Sequence, residues 1–173
     1  MQIIVNDTCC LIDLRKVGLL MKVLDLPYRV AIVYPLRASE LLDIPEREWA
    51  ILEAGGLEVI DVEGKLVHEA QLAMQLRRGT SFNDCLSLVQ TRAFSPEGVL
   101  LTNDRKLREL AQLSRIEAHG TLWLIDELLK HTILSERECA AVLEAWRSDP
   151  LVFLPQAEVE QRLCRCEDAM KMY

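Results

Sequence analysis

Short runs rich in β-branched residues recur along the chain, and helical stretches follow them. Residues 2–6 (QIIVN) and 30–34 (VAIVY) read as buried strands, and 57–61 (LEVID) and 99–101 (VLL) as two more. Asp7 and Thr8 open a helix that runs to about Val17. Pro35 and Pro45 suit the first turns of helices at about 36–43 and 45–54, and Gly55 and Gly56 stop the second. Helical rhythm returns over 65–78, 82–94, 103–113 and 121–131, with a last short strand at about 116–118. Strands that alternate in this way with helices predict an α/β fold with a central, mostly parallel sheet.

Ser135 and Glu138 form a capping-box pattern for a further helix to about Trp146. A boundary signal follows at Ser148, Asp149 and Pro150, and beyond it Val159, Leu163, Cys166 and Met170 mark a narrow helical stripe. The organisation expected is a domain over 1–132 and a helical C-terminal extension over 133–173. That stripe packs on the parent domain in the plainer reading, and on a partner in the other. Trp123 and Trp146 are expected to help bury this region. A chain of 173 residues suffices for one domain with a real core and needs no staples.

The 27 acidic and 20 basic side chains leave a net charge of −7, which argues against broad coating of nucleic acid. It leaves room for an acidic metal centre, whose carboxylates count toward the total. Six cysteines without a secretory signal predict reduced thiols in a cytoplasmic protein, with Cys9 and Cys10 in the core. Charges interrupt every apolar stretch before membrane length. Cys164 and Cys166 lack the further ligands of a zinc site, no serine stands in a glycine-flanked elbow, and no phosphate-binding loop is present.

Acids stand where an α/β sheet gathers its ligands. Asp7 follows the strand 2–6, Asp104 lies just beyond 99–101, and Asp84 is in the first turn of the helix after Ser81. Glu40, expected within the helix after strand 30–34, reaches the same mouth. Taken singly, each has a plainer role. Asp7 caps a helix, Asp104 complements a helix N-terminus, Ser81 and Asp84 make a capping pair, and Glu40 is an exposed helix residue. Together they suggest more. Clustered carboxylates repel one another unless a cation lies among them, and hard oxygen ligands suit Mg2+ or Mn2+. Two such ions, about 3.5–4 Å apart, activate water and stabilise the leaving oxygen in phosphodiester cleavage. Arg77, Arg78, Arg105, Lys106 and Arg108 are candidate phosphate contacts, with a solvated helix face as the alternative.

Five segments, in order, resemble PIN-domain proteins. IIVNDTCCLIDL resembles the family's opening, and RASELL its second motif with Glu40 as the acid. FNDCLSLVQTRA is similar to its third motif, LLTNDRKLRELA to its fourth, and HGTLWLIDELL carries a glycine-threonine turn common late in the domain. The resemblance covers about residues 1–130 and implies a three-layer α/β/α fold. It implies that Asp7, Glu40, Asp84 and Asp104 bind metal and carry catalysis. Thr8 and Thr102 would orient a carboxylate or a water, and Asn103 and Asn83 would support them, although Asn103 also suits a helix cap. The general type it is most similar to is the VapC-like toxins, magnesium-dependent ribonucleases held by a cognate antitoxin. RNA as substrate, an antitoxin protein as partner and homodimer formation follow as expectations. The longer C-terminal segment and the acidic charge depart from that toxin pattern. The rival reading is a non-catalytic PIN-like binding or scaffold module.

Overall fold

The computed structural model describes residues 1–76 and 79–171. Five strands, β1 (Ile3–Asn6), β2 (Arg29–Val33), β3 (Leu57–Ile60), β4 (Gly98–Leu101) and β5 (Glu117–His119), form one sheet in the order β3-β2-β1-β4-β5. Every ladder is parallel. β1 and β2 are buried nearly throughout, as their unbroken apolar runs require. Alternate residues face opposite sides. Ile3, Val5 and Ala31 pack with Ile60 and Phe94, whereas Ile4 and Ile32 belong to the larger cluster. The result is the three-layer α/β/α arrangement.

The helices are α1 (Thr8–Lys16), α2 (Leu20–Leu24), α3 (Tyr34–Ser39), α4 (Glu46–Ala54), α5 (Gly64–Leu76), α6 (Phe82–Ala93), α7 (Arg105–Leu113), α8 (Thr121–Lys130), α9 (Glu136–Ser148) and α10 (Gln156–Lys171). α6 lies across β1, β2 and β4, while α1, α2 and α8 pack on one another. The five-residue α2 has no counterpart among the sequence-based expectations, because a single turn is too short to show a period. Boundaries also differ from expectation: Tyr34 joins α3 and not β2, and α7 begins at Arg105 and not at 103. α3 ends at Ser39, leaving Glu40 as its C-cap, because the chain turns there to bury Leu41 and Ile44. Pro45 is the N-cap of α4 and lies outside its first turn.

α9 and α10 pack on each other, and their apolar stripes (Cys139, Val142, Leu143 and Trp146; Val159, Leu163 and Cys166) belong to the same buried cluster as the sheet. The Trp146 indole N–H donates to the Asp13 carbonyl at 3.0 Å, tying α9 to α1. Trp123 is half-buried and stacks with both Tyr28 and His119. Met170, the last residue of the expected stripe, is 40% exposed. No helix among the described residues is long and apolar enough to cross a membrane.

Candidate active site

The order in which strands are added to the sheet reverses between β1 and β4, which pair in parallel from Ile3 with Gly98 to Asn6 with Leu101. A crevice opens beyond the carboxyl ends of strands at such a point, because the connections leave on opposite sides. Asp7 leaves β1 into that crevice, and Thr102, Asn103 and Asp104 leave β4 beside it.

Asp7 is the buried member of the group, at 5% exposure. It caps α1, accepting the Thr8 N–H on Oδ1 at 2.8 Å. Its Oδ2 accepts the Thr102 hydroxyl at 2.8 Å and the Cys9 thiol at 3.2 Å. Burial and then the charge of Asp84 push its pKa up to about 6, against the hydrogen bonds from Cys9, Thr102 and Thr8. Glu40 is exposed, and both its oxygens are engaged. Oε2 takes the Thr8 hydroxyl and Oε1 the Asn83 amide, each at 2.5 Å.

Asp84 closes a capping box with Ser81, using Oδ2 on the Ser81 N–H at 2.7 Å. Asp104 caps α7, using Oδ1 on the Leu107 N–H at 2.7 Å, and its own N–H donates to the Thr102 hydroxyl at 3.0 Å. Hydrogen bonds therefore run from Glu40 through Thr8 to the segment bearing Asp7, and through Asn83 to the segment bearing Asp84. Thr102 joins Asp7 to Asp104. The capping roles read from the sequence are real, and they hold these acids in place.

A divalent cation fits this donor set in chemistry. All four side chains offer hard oxygens, burial leaves Asp7 short of positive charge, and Asp84 Oδ1 and Asp104 Oδ2 are unengaged among the described residues. The side chains as they stand do not form a finished cage. Among the described residues no three His, Cys, Asp or Glu are placed to hold an ion. Binding would require the more exposed acids, Glu40, Asp84 and Asp104, to turn from their present partners.

Asn103 does not cap α7, since Asp104 does. Its amide donates to the Thr121 hydroxyl at 2.6 Å and to Asp13 at 3.2 Å, and its Oδ1 accepts the Thr121 N–H at 3.0 Å. It fastens the end of β4 to the start of α8. A Cβ at Gly120 would stand 2.7 Å from Asn103 Oδ1 and 2.6 Å from the Arg108 guanidinium, so a larger residue there must displace those two side chains. Arg108 donates to the Thr102 carbonyl at 3.0 Å, so this candidate phosphate contact is turned toward the protein. Arg105 projects, its side chain 92% exposed, with one bond to Glu109. Arg77 and Arg78 lie outside the described residues.

A family model of the PIN domain matches residues 3–168 of this chain. The chain belongs to the PIN-domain family. The match reaches past the five motif segments and takes in α9 and most of α10. PIN domains are generally nucleases that use divalent metals, so the chain has a nuclease-type fold. No curated protein matches the chain.

Three participants had not been placed at this site from the sequence. Cys9, expected in the core, is half-buried and bonds Asp7, whereas Cys10 is fully buried. Asp13 is buried at 7% exposure beside Asn103, with its pKa pushed up to about 6, chiefly by burial. An acid three positions after Cys10 and beside Leu14, on the apolar stripe of α1, is the signal that could have found it. The third, the connection between α9 and α10, brings Leu151 and Phe153 to a cleft shared with Asp104, and no local pattern could show that.

Proposed function

We propose that this protein is a divalent-metal-dependent endoribonuclease acting in the cytoplasm, with Asp7, Glu40, Asp84 and Asp104 as its metal-binding and catalytic acids. The observation that carries the reading is the hydrogen-bonded linkage of these four acid-bearing segments at the β1/β4 crevice. When bound, Mg2+ or Mn2+ supplies activation of water and neutralisation of phosphate charge. The protein's part is to position. Thr102 holds Asp7 and fixes the backbone before Asp104, and Thr8 and Asn83 hold Glu40 from two sides. Asp84 and Asp104 keep an oxygen each for the incoming ion or water. Arg105 stands at the rim to meet a phosphate.

The motif resemblance supports a finer step. The protein would act as the toxin of a toxin–antitoxin pair, as a homodimer restrained by a cognate antitoxin. A non-catalytic PIN-like scaffold is the rival, favoured by the lack of a finished acid cage among the described residues.

The deciding experiment incubates purified protein with structured and single-stranded RNAs in Mn2+, Mg2+ or EDTA, beside Asp84→Asn. Cleavage that needs metal and is lost in the folded variant supports the nuclease. Full activity in the variant would overturn the assignment of Asp84. No cleavage together with no metal binding would select the scaffold.

A further inference from the structure

A cleft of about 560 Å³ lies against Asp104, between α1 and the α9–α10 connection, with Cys9, Ile12, Arg105, Leu151 and Phe153 among its walls. Two of those walls are conspicuously apolar for their position. Phe153 is 82% exposed and Leu151 70% exposed. Their neighbours Val152 and Leu154 are partly buried against the core, so the connection alternates inward and outward side chains.

The connection is also held. The Asp149 carboxylate accepts the Leu151 N–H at 2.8 Å and the Lys16 ammonium at 2.8 Å, and the Val152 N–H donates to the Asp149 carbonyl at 3.1 Å. The exposed ring is therefore carried by a segment anchored on both sides, and little order remains to be imposed when something packs on it.

The surroundings narrow what that is. Arg105 offers an exposed guanidinium at the rim, and the acids proposed to cut a phosphodiester begin at Asp104. A nucleobase joins a flat π-face to an attached phosphate. Its face suits an aromatic ring, and its phosphate suits the cation and the metal centre beside it. An acidic ligand without such a face would meet Asp13 and Asp104 and gain nothing from Phe153.

We infer that this cleft seats one nucleobase of a single-stranded RNA against Phe153, delivering the adjoining phosphate to the four-acid site; the inference rests on the ribonuclease reading. In duplex RNA the base faces are stacked on their neighbours, so the cleft selects unpaired nucleotides. It gives the C-terminal extension a part in substrate choice.

The test measures binding by fluorescence anisotropy in EDTA, so that no cleavage intervenes. The probe is a short mixed-sequence RNA, single-stranded or annealed to its complement. Phe153→Ala is expected to weaken single-strand binding about five- to a hundredfold, the range for losing one base–aromatic stack, with no change in thermal midpoint. Phe153→Trp is expected to restore it. An abasic substitution at one position of the probe should reproduce the loss in the wild-type protein and add nothing further in Phe153→Ala.

Equal binding by Phe153→Ala and wild type, equal binding of single strand and duplex, or no RNA binding by folded protein would each overturn the inference. Cleavage in manganese by the same preparations separates the two readings. Cleavage with Phe153-independent binding removes the base subsite and leaves the nuclease. Phe153-dependent binding without cleavage in any metal removes the nuclease, and with it the delivery of a phosphate, and leaves a base-binding cleft alone.

Discussion

The Thr102 hydroxyl donates to Asp7 Oδ2 at 2.8 Å while accepting the Asp104 N–H at 3.0 Å, so one fully buried side chain ties together the carboxyl ends of β1 and β4. Thr102→Val keeps the shape and removes both bonds. It leaves a buried carboxylate short of a donor and a backbone N–H short of an acceptor. The expected loss is about 1–3 kcal/mol of stability, read from urea midpoints, with RNA cleavage falling more steeply than stability. Thr102→Ser should restore most of both. Wild-type stability and activity in Thr102→Val would show that the hydroxyl does not position the acids.

Asp13 gives a pH dependence opposite to ordinary acid denaturation. Its pKa rises from 3.8, the ordinary value for an aspartate, to about 6 in the fold. Between those values the folded protein holds a proton that the unfolded chain has released. Its contribution is therefore full at low pH and lost as pH rises from about 4 through 6. Solvent beside the carboxylate screens part of that rise, which leaves an effect on the order of 1–2 kcal/mol. Asp13→Asn keeps an acceptor for Asn103 and has no charge to bury. The variant should match wild type near pH 4 and exceed it by about 1–2 kcal/mol at pH 8, in urea titrations at several pH values. A gap that does not change with pH would refute this account of Asp13.

The periodic parts of the molecule were readable from the sequence, and the long-range parts were not. β1, β2 and β4 are short apolar runs with no competing pattern, and the Ser81–Asp84 and Ser135–Glu138 boxes appear where their spacing placed them. Glu40 lies just outside its helix because buried Leu41 and Ile44 outweigh helical continuation. Asn103 looked like a cap, yet its partners are Thr121 and Asp13, the latter 90 residues away. The Thr102–Asp7 bond spans 95 residues, and Phe153 comes from beyond the segments that carry the motif resemblance. The motif resemblance offered Thr8, Thr102 and Asn83 as supporting groups; that Thr8 and Asn83 hold Glu40 and Thr102 holds Asp7 needed the fold.

Gly98 links two of the acids through packing alone. A Cβ there would lie 2.2 Å from the Thr91 carbonyl oxygen, a backbone atom that cannot swing aside. Thr91 is near the end of α6, which carries Asp84, and Gly98 begins β4, which leads to Asp104. Gly98→Ala must push helix and strand apart. The expected destabilisation is about 3 kcal/mol, the upper part of the range for overpacking. Thermal melts would read it, and an unchanged midpoint would contradict the contact.

Cation binding should be visible as stability before any substrate is known. A ligand that binds only the folded state raises stability by about 2.7 kcal/mol when present at about a hundred times its dissociation constant. In the proposed site such an ion would relieve the mutual repulsion of Asp7 and Asp84 and answer the burial of Asp7. Mn2+ or Mg2+ should therefore raise the melting temperature of the wild-type protein in a concentration-dependent way, and EDTA should reverse it. Asp84→Asn lowers the repulsion without metal, so this variant should melt at or above the wild-type temperature in EDTA and gain little from Mn2+. The same rise in variant and wild type would place the bound ion elsewhere on this acidic chain. No rise in either would remove the metal site and, with it, the proposed mechanism of RNA cleavage.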